Sequence, residues 1–289
     1  MSKQDGRRAV VVTGARTPFV KAFGDFTTMD TIALGVAASR GAMAKVGLGV
    51  RDIDSVVWGG VILPSGSPNV GREIALDLGL DPRAEAMTVT RACASGLQAI
   101  TLAAAAIERG EADVVLCGGS DSTSNAEIKL PQKVVHALAP LALGKPTRSD
   151  YLAVLSQLWP ITDLLPRQPK IAERSTGEVM GEAAERMARR NEVGRAEQDA
   201  FALRSHQRAA AAIAGGVFDD EVVEVTTPEG KTVRADGLVR GDTSLEKLAK
   251  LRAAFAKDGT LTAGNSSALT DGGAAVVLMS EAKARSLGL

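Results

Sequence analysis

Short apolar runs that end in glycine recur along the chain and are separated by longer helix-forming stretches. The runs lie in RAVVVTGARTPF near the amino terminus and at 52–60, 112–119 and 272–280. Apolar runs without polar alternation are typical of strands that are covered on both faces. Helical patterns lie between the runs, at 31–46, 95–109 and 280–287. The alternation predicts a layered α/β fold.

Residues 126–254 interrupt this pattern. Their first part, up to Lys170, is rich in proline and lacks a clear period. The strand-like pattern resumes at GTLTAGNSSALTDGGAAVVLMS, close to the end of the chain. We therefore predict one α/β domain made of 1–125 and 255–289, with 126–254 inserted as a mainly helical domain.

Two helices and a hairpin are predicted within this insertion. The helical stretch 175–216 is divided at 191–194, and Gly215 with Gly216 ends its second helix. The hairpin turns at 228–230, which reads Pro-Glu-Gly.

Composition excludes several classes of protein. The 289 residues are 45% hydrophobic, enough for a large core and for one or two domains. Charge is balanced, with 34 basic and 34 acidic residues, so nucleic acid is not an expected partner. The amino terminus, MSKQDGRRAV, has no apolar signal core, and a cytoplasmic location is expected. Two cysteines and two histidines form neither a disulfide framework nor a metal-binding pattern.

Cys93 has an unusual position in this pattern. The strand AMTVT ends at Thr90, and the next helix is under way by Gly96, so the thiol lies at a strand-to-helix corner. Free amide groups and the helix dipole at such a corner favour the reactive thiolate. Position alone leaves two interpretations open, a nucleophile at the rim of the sheet or a small buried hydrophobe. Cys117, on a strand beside two glycines, is interpreted as a core residue.

The segment RACASGLQAI around Cys93 resembles the nucleophile motif of thiolases. Further segments are similar to thiolase segments in the same order along the chain: ARTPF at 15–19, GGSDSTS at 118–124, GEVMGEAAERMA at 177–188, RAEQDAFALRSHQRA at 195–209 and LTAGNSSALTDGGAA at 261–275. STGEVMG and GDTSLEKLAKLRAAF resemble most the fatty-acid-oxidation type, the β-subunit of trifunctional complexes and its bacterial relatives. The resemblance implies a thiolase-type layered α-β-α half with an inserted loop domain.

The resemblance implies an acyl-CoA C-acyltransferase of fatty acid β-oxidation. Such an enzyme cleaves 3-ketoacyl-CoA with free CoA and releases acetyl-CoA and a shortened acyl-CoA. Cys93 would attack the 3-keto carbon and carry the acyl group until CoA removes it. The amide of Cys93 would contribute to an oxyanion hole. Coenzyme A is a substrate in this chemistry, and neither a metal nor a further cofactor is expected.

The same resemblance assigns four residues to the binding of CoA. Ser267 and Met180 would contact the pantetheine arm, Arg240 would lie near the nucleotide and Leu251 near the adenine. Each residue also has a structural interpretation. These are, in the same order, a turn serine, a helix-start filler, a solvated charge and a core residue of an amphipathic helix.

Part of the family's catalytic apparatus does not occur in this sequence. The GHP segment with the base histidine, the CxGxG segment with a second cysteine, and the NEAF or HEAF segment are not found. In the family these segments follow the region that ends here at Leu289. We therefore expect the C-terminal thiolase domain to be absent from this chain and the isolated chain to be inactive. His136 and His206 match none of these segments and receive no catalytic role.

Two rival functions remain open. The first is a non-catalytic CoA-binding or scaffolding subunit, which the missing base favours. The second is a condensing enzyme, such as one that forms acetoacetyl-CoA or a ketoacyl synthase. A homo-oligomer is expected in each case, as in most thiolases. A subunit with enoyl-CoA hydratase and 3-hydroxyacyl-CoA dehydrogenase activity is a further expected partner.

The apolar stretch 150–166, DYLAVLSQLWPITDLLP, has four interpretations. It can form a covering flap, a wall for a long acyl tail, a docking surface for a partner subunit, or a weak membrane contact. Asp150 and Asp163 weigh against the membrane contact.

Overall fold

The computed structural model describes residues 7–128, 130–157 and 172–289. The chain forms two compact units, one made of 1–126 and 193–289 and the other of 127–192. Residues 158–166 of the apolar stretch lie outside the described residues, so its interpretations stay predictions. Within the described ranges, no helix is both long and apolar enough to cross a membrane.

The larger unit is built on a six-stranded mixed sheet. Its main strands follow the order β1-β8-β5-β3-β4, and β2 pairs with one end of β8. β8 is antiparallel to both β1 and β5, whereas β5, β3 and β4 are parallel. The strands are β1 (Ala9–Arg16), β2 (Val20–Lys21), β3 (Ser55–Gly59), β4 (Glu85–Val89), β5 (Val114–Ser122) and β8 (Thr270–Ser280).

Helices cover both faces of this sheet, as the sequence predicts. On β5, Val114 and Leu116 face the core beneath α1 (Thr31–Lys45) and α2 (Val70–Asp77). Val115 and Cys117, which alternate with them, face the core beneath α3 (Ser95–Arg109). Because both faces are covered, β5 reads as a continuous apolar run.

Three helices and a hairpin complete the described part of the larger unit. The predicted second helix of 175–216 is α7 (Arg195–Ala214), and the predicted hairpin is formed by β6 (Val225–Thr226) and β7 (Thr232–Val233). The predicted carboxy-terminal helix is α9 (Glu281–Ser286), which Ser280 caps by accepting a hydrogen bond from the amide of Lys283. The five-residue helix α8 (Leu245–Ala249) has no counterpart in the predicted elements.

The described residues of the smaller unit, 127–192, are mainly helical. It contains α4 (Gln132–Leu143), α5 (Arg148–Gln157) and α6 (Met180–Arg190). α4 and α5 were not predicted as individual elements, although the insertion was predicted to be mainly helical. α4 contains Pro140, a residue that usually argues against a helix interior.

The boundary between the units differs from the predicted insertion, 126–254. Residues 193–254 pack with the larger unit because long-range polar contacts tie them to it. The Arg16 guanidinium bonds to Asp236, 2.7 Å from its Oδ1, and the Arg16 amide donates to the carbonyl of Glu221 over 2.8 Å. Only 127–192 separates as a compact unit of its own.

Candidate active site

Cys93 lies in the corner between the end of β4 and the start of α3, as the sequence predicts. Its side chain is exposed, so the interpretation as a buried hydrophobe is wrong. Ala92, just before it, has a φ of 48°, a left-handed conformation that is uncommon for a residue other than glycine. Such strained backbone is characteristic of turns that present a functional side chain.

The hydroxyl of Ser95 fixes this turn. It accepts a hydrogen bond from the amide of Arg91 over 2.8 Å and donates one to the carbonyl of Ala92 over 2.6 Å. Gly96 and Leu97 lie in the first turn of α3, where amide groups have no carbonyl within the helix to bond. These amides and the helix dipole place positive potential beside the thiol.

The start of α3 rests directly on the glycine that ends β3. A Cβ atom on Gly59 would lie 2.5 Å from the carbonyl carbon of Ser95 and 2.6 Å from the amide nitrogen of Gly96. A side chain at Gly59 would therefore push the helix, and with it Cys93, away from the sheet.

Cys93 opens onto a cavity of about 320 Å³. Its walls are made largely of glycine and alanine from the ends of β3, β5 and β8, with Phe19, Val61, Ile100 and Val276 as the larger apolar side chains. A volume of this size is at the lower end of that of small-molecule sites. The small residues leave room for a reactant to approach the thiol.

Cys117 is a core residue, as predicted. Its side chain is fully buried, and its Sγ lies 3.5 Å from the carbonyl oxygen of Val276. Burial raises the pKa of the Cys117 thiol to about 12. It is therefore a neutral thiol at any physiological pH.

Asp121 contributes a carboxylate to the cavity wall. Its Oδ1 accepts hydrogen bonds from the amides of Val61, over 2.9 Å, and Ile62, over 2.6 Å. Burial raises the pKa of Asp121, and these two hydrogen bonds only partly oppose the shift. Asp121 thus holds the turn after β3 in place while keeping some tendency to remain protonated.

Replacing Asp121 with asparagine is expected to change how stability depends on pH. The raised pKa means that the ionised carboxyl group destabilises the folded state once pH exceeds the unfolded-state pKa of about 3.9. Asparagine does not titrate. The melting temperature of Asp121→Asn minus that of the wild type should therefore increase as pH rises from about 3.5 to 7.

Asp81 provides a control of opposite sign. Hydrogen bonds from Arg83 lower the pKa of the Asp81 carboxyl group. Its ionised form therefore stabilises the folded state. The melting temperature of Asp81→Asn minus that of the wild type should decrease over the same pH range. A difference in melting temperature between Asp121→Asn and the wild type that does not change with pH would contradict the raised pKa of Asp121.

Two of the four predicted CoA-binding residues contact one loop, 260–267. A guanidinium nitrogen of Arg240 lies 3.5 Å from the carbonyl oxygen of Ala263. Leu251 packs on Gly264, where an added Cβ would lie 2.5 Å from Leu251 Cδ1. Leu251 follows the end of α8 and is 37% exposed, so it is not a core residue of that helix.

Ser267 and Met180 have exposed side chains. Ser267 is the last residue of the same loop and lies three residues before Thr270, which lines the Cys93 cavity. Met180 begins α6 in the smaller unit and is 69% exposed. The amide of Val179, the residue before it, donates to Glu182 Oε2 over 3.0 Å and so fixes the helix start.

A buried polar network holds loop 260–267. Asp199 accepts hydrogen bonds from Arg195 Nε, over 2.7 Å, and from Asn265 Nδ2, over 2.9 Å. Asn265 Oδ1 accepts a hydrogen bond from the amide of Thr262, and Arg195 also donates to the carbonyl oxygens of Leu248 and Leu251. The network ties the loop to α7 and to the end of α8.

The two histidines have different environments. His206 accepts a hydrogen bond at Nδ1 from the amide of Arg240, over 3.2 Å. Burial, and then the charge of Arg240, lower the pKa of His206. His136 lies on α4 in the smaller unit. None of the described residues that line the Cys93 cavity is a histidine.

Several residues of the site were not predicted individually. They are Phe19, Asp121, Asp199 and Asn265. Each of them lies inside a segment that resembles thiolases, which is the only signal in the sequence that could have indicated them.

Comparison with known proteins identifies the family. The family described as "Thiolase, N-terminal domain" matches residues 9–282. The 3-ketoacyl-CoA thiolase of Vibrio cholerae serotype O1 is 41% identical over 296 residues, covering 100% of this chain and 68% of that protein. The 3-ketoacyl-CoA thiolase of Yersinia enterocolitica is 40% identical, covering 99% of this chain and 66% of that protein.

Solved structures agree with this match. Human mitochondrial 3-ketoacyl-CoA thiolase in complex with CoA has a TM-score of 0.81 and 30% identity, with 98% of this chain and 67% of that chain covered. The Bacillus anthracis acetyl-CoA acetyltransferase has a TM-score of 0.82 and 32% identity, with 98% and 68% covered.

The fold and the cysteine corner thus define an α/β protein of the acyltransferase class. The chain belongs to the thiolase family. It spans about two thirds of the length of the relatives it matches.

Proposed function

We propose that this chain provides the nucleophile and part of the CoA-binding surface of a 3-ketoacyl-CoA thiolase. The observation that carries the proposal is the exposure of Cys93 at the start of α3, in a cavity walled by small residues. A buried thiol could not reach a thioester, and Cys117 is such a thiol. The names of the relatives, 3-ketoacyl-CoA thiolase, support the substrate class.

The proposed reaction has two acyl-transfer steps. In the first, the Cys93 sulfur attacks the 3-keto carbon, the bond between C2 and C3 breaks, and the two-carbon fragment takes a proton and leaves as acetyl-CoA. In the second, the thiol of a free CoA attacks the acyl-cysteine, the bond to Cys93 breaks, and the proton of that thiol returns to Cys93. The amide of Cys93 would stabilise the oxyanion.

CoA binding is proposed for the loop that the Asp199 network holds. Arg240 would contact the nucleotide, Leu251 the adenine and Ser267 the pantetheine arm. The resemblance to thiolases also assigns Met180 to the pantetheine arm. The contacts that Arg240 and Leu251 make with one loop support their grouping. A rigid loop loses little conformational entropy on binding.

The wider setting is proposed from the resemblance. We place the activity in fatty acid β-oxidation, in the cytoplasm, in a homo-oligomer. A subunit with hydratase and dehydrogenase activity would supply the 3-ketoacyl-CoA. Nothing in the charge balance points to nucleic acid as a partner.

Acetyl transfer from acetyl-CoA tests the proposal. When the 289-residue chain is incubated with acetyl-CoA at pH 8, one acetyl group per chain should appear slowly on Cys93 by direct thioester exchange, as located by peptide mass spectrometry, whereas catalytic thiolysis of 3-ketoacyl-CoA by the isolated chain should stay negligible. Addition of excess free CoA should remove it, because thioester exchange is reversible. Cys93→Ala should carry no acetyl group, and Cys117→Ala should be labelled like the wild type.

The principal rival is a CoA-binding subunit without catalytic function. It is favoured by the environment of the Cys93 cavity, in which no described lining residue is a histidine. Binding of acetyl-CoA without acetyl transfer to Cys93 would support this rival. Acetylation confined to lysines would contradict the thiolase proposal.

A further inference from the structure

Phe19 is the only aromatic residue among the described residues that line the Cys93 cavity. It is 37% exposed, so part of its ring is accessible from the cavity. Glycine, alanine and serine make up most of the remaining wall, and Val61, Ile100 and Val276 are its other large apolar side chains. The phenyl ring is the bulkiest group in the wall, and it sets a definite steric limit if it cannot move.

The backbone around Phe19 is fixed on two sides. Its amide donates to Asp236 Oδ1 over 2.7 Å, and its carbonyl accepts from the amide of Gly237 over 2.9 Å. Two residues earlier, the amide of Thr17 donates to the carbonyl of Gly273, and the Thr17 hydroxyl accepts from the Gly273 amide. These bonds tie the segment to β8 on one side and to 236–237 on the other.

The ring of Phe19 is fixed as well. The Arg16 guanidinium lies 5.2 Å from its centre, a cation–π contact, and 5.4 Å from the ring centre of Phe218. Asp236 and Glu221 hold the guanidinium through hydrogen bonds of 2.7–3.0 Å. Arg16 is therefore a rigid support for Phe19.

Gly272 of β8 provides the space that the ring occupies. A Cβ atom on Gly272 would lie 2.0 Å from Phe19 Cδ1 and 2.5 Å from Cε1. The Cδ1–Cε1 edge of the ring therefore lies against the backbone of Gly272, with no room to move further in that direction.

We propose that Phe19 is a specificity-determining residue whose ring limits the bulk of the group that Cys93 can accept. The inference rests on the proposed acyl transfer to Cys93 and concerns the size of the acyl group. Because the ring is held by its backbone, by Arg16 and by Gly272, a bulky group must be excluded and cannot displace it.

The proposal is tested with iodoacetamide and 2-iodo-N-phenylacetamide, two reagents that alkylate a thiol by the same reaction but differ in bulk. The measured quantity is the ratio of their alkylation rate constants at Cys93, the phenyl reagent over iodoacetamide. Phe19→Ala should raise the ratio about tenfold, and Phe19→Leu should raise it less. Phe218→Ala is the matched control, because Phe218 contacts the same guanidinium but does not line the cavity. Its ratio should equal that of the wild type.

Each result has a defined meaning. An unchanged ratio in both Phe19 variants would overturn the proposal. An equal rise in Phe218→Ala would overturn it too, because loosening of the Arg16 support would then explain the change. If Phe19→Ala does not fold, Phe19→Leu decides alone. The proposed function is tested separately, because its failure would appear as a lack of acetyl transfer to Cys93. That result does not depend on the ratio of the alkylation rate constants.

Discussion

Replacement of Gly59 by alanine is expected to destabilise the larger unit by about 3 kcal/mol. The added Cβ would lie 2.5 Å from the carbonyl carbon and 2.6 Å from the carbonyl oxygen of Ser95. Both are backbone atoms of α3, which cannot rotate away as a side chain can. Relief requires the whole start of α3 to move, which would expose the fully buried Ala99 and Ala103.

Thermal unfolding measures this effect, and Gly96→Ala is the matched control. The loss corresponds to a melting temperature lower by roughly 6–12 °C. A Cβ atom added at Gly96 would point into open space and would meet no atom within 4 Å. Alanine there should therefore stabilise α3, by about 0.5–1 kcal/mol. Equal melting temperatures for Gly59→Ala and the wild type would contradict the close approach of Gly59 to the backbone of Ser95 and Gly96.

The strands were predictable because both faces of the sheet are covered. Val114, Val115, Leu116 and Cys117 each contact one of the two cores, which makes the run apolar at every position. The order of the strands was not predictable in the same way. β8 comes last in the chain and lies antiparallel between β1 and β5, and no local pattern records which strands become neighbours.

Four helices, α2, α4, α5 and α8, were not predicted, for local reasons, and α8 is only five residues long. α2 is eight residues long, and its second residue is glycine. α4 contains Pro140, and α5 has little amphipathic pattern. Residues 193–254, predicted as part of the insertion, pack with the larger unit through distant contacts such as that between Arg16 and Asp236, which are 220 residues apart, and no local pattern records such contacts.

The position of Cys93 at the corner was predictable, and its surroundings were not. A strand, a cysteine and a helix lie within a few residues of one another, so the corner could be recognised locally. Asp121 and Phe19 reach the cavity from other strands and loops. Asp199 and Asn265 meet across 66 residues. The resemblance to thiolases marked their segments but did not assign roles to these residues.

Cys93 is expected to react with iodoacetamide about a thousandfold faster than Cys117. Cys117 has no exposed surface, and its pKa of about 12 leaves roughly one thiolate in ten thousand at pH 8. Its alkylation also requires local opening of the sheet. Cys93 is exposed and lies beside the first amides of α3. Exposure of Cys93 and its position at the start of α3 therefore both increase its rate of alkylation relative to that of Cys117.

The most direct test of the central claim, an exposed nucleophile at Cys93, is the ratio of these two rates in the native chain. Peptide mass spectrometry separates the two sites, and Cys93→Ala and Cys117→Ala assign them. In denaturant the ratio should approach one, which controls for intrinsic reactivity. We expect rapid native labelling of Cys93 that acetyl-CoA slows, and labelling of Cys117 that is about a thousandfold slower. Equal native rates, or faster labelling of Cys117, would contradict the central claim.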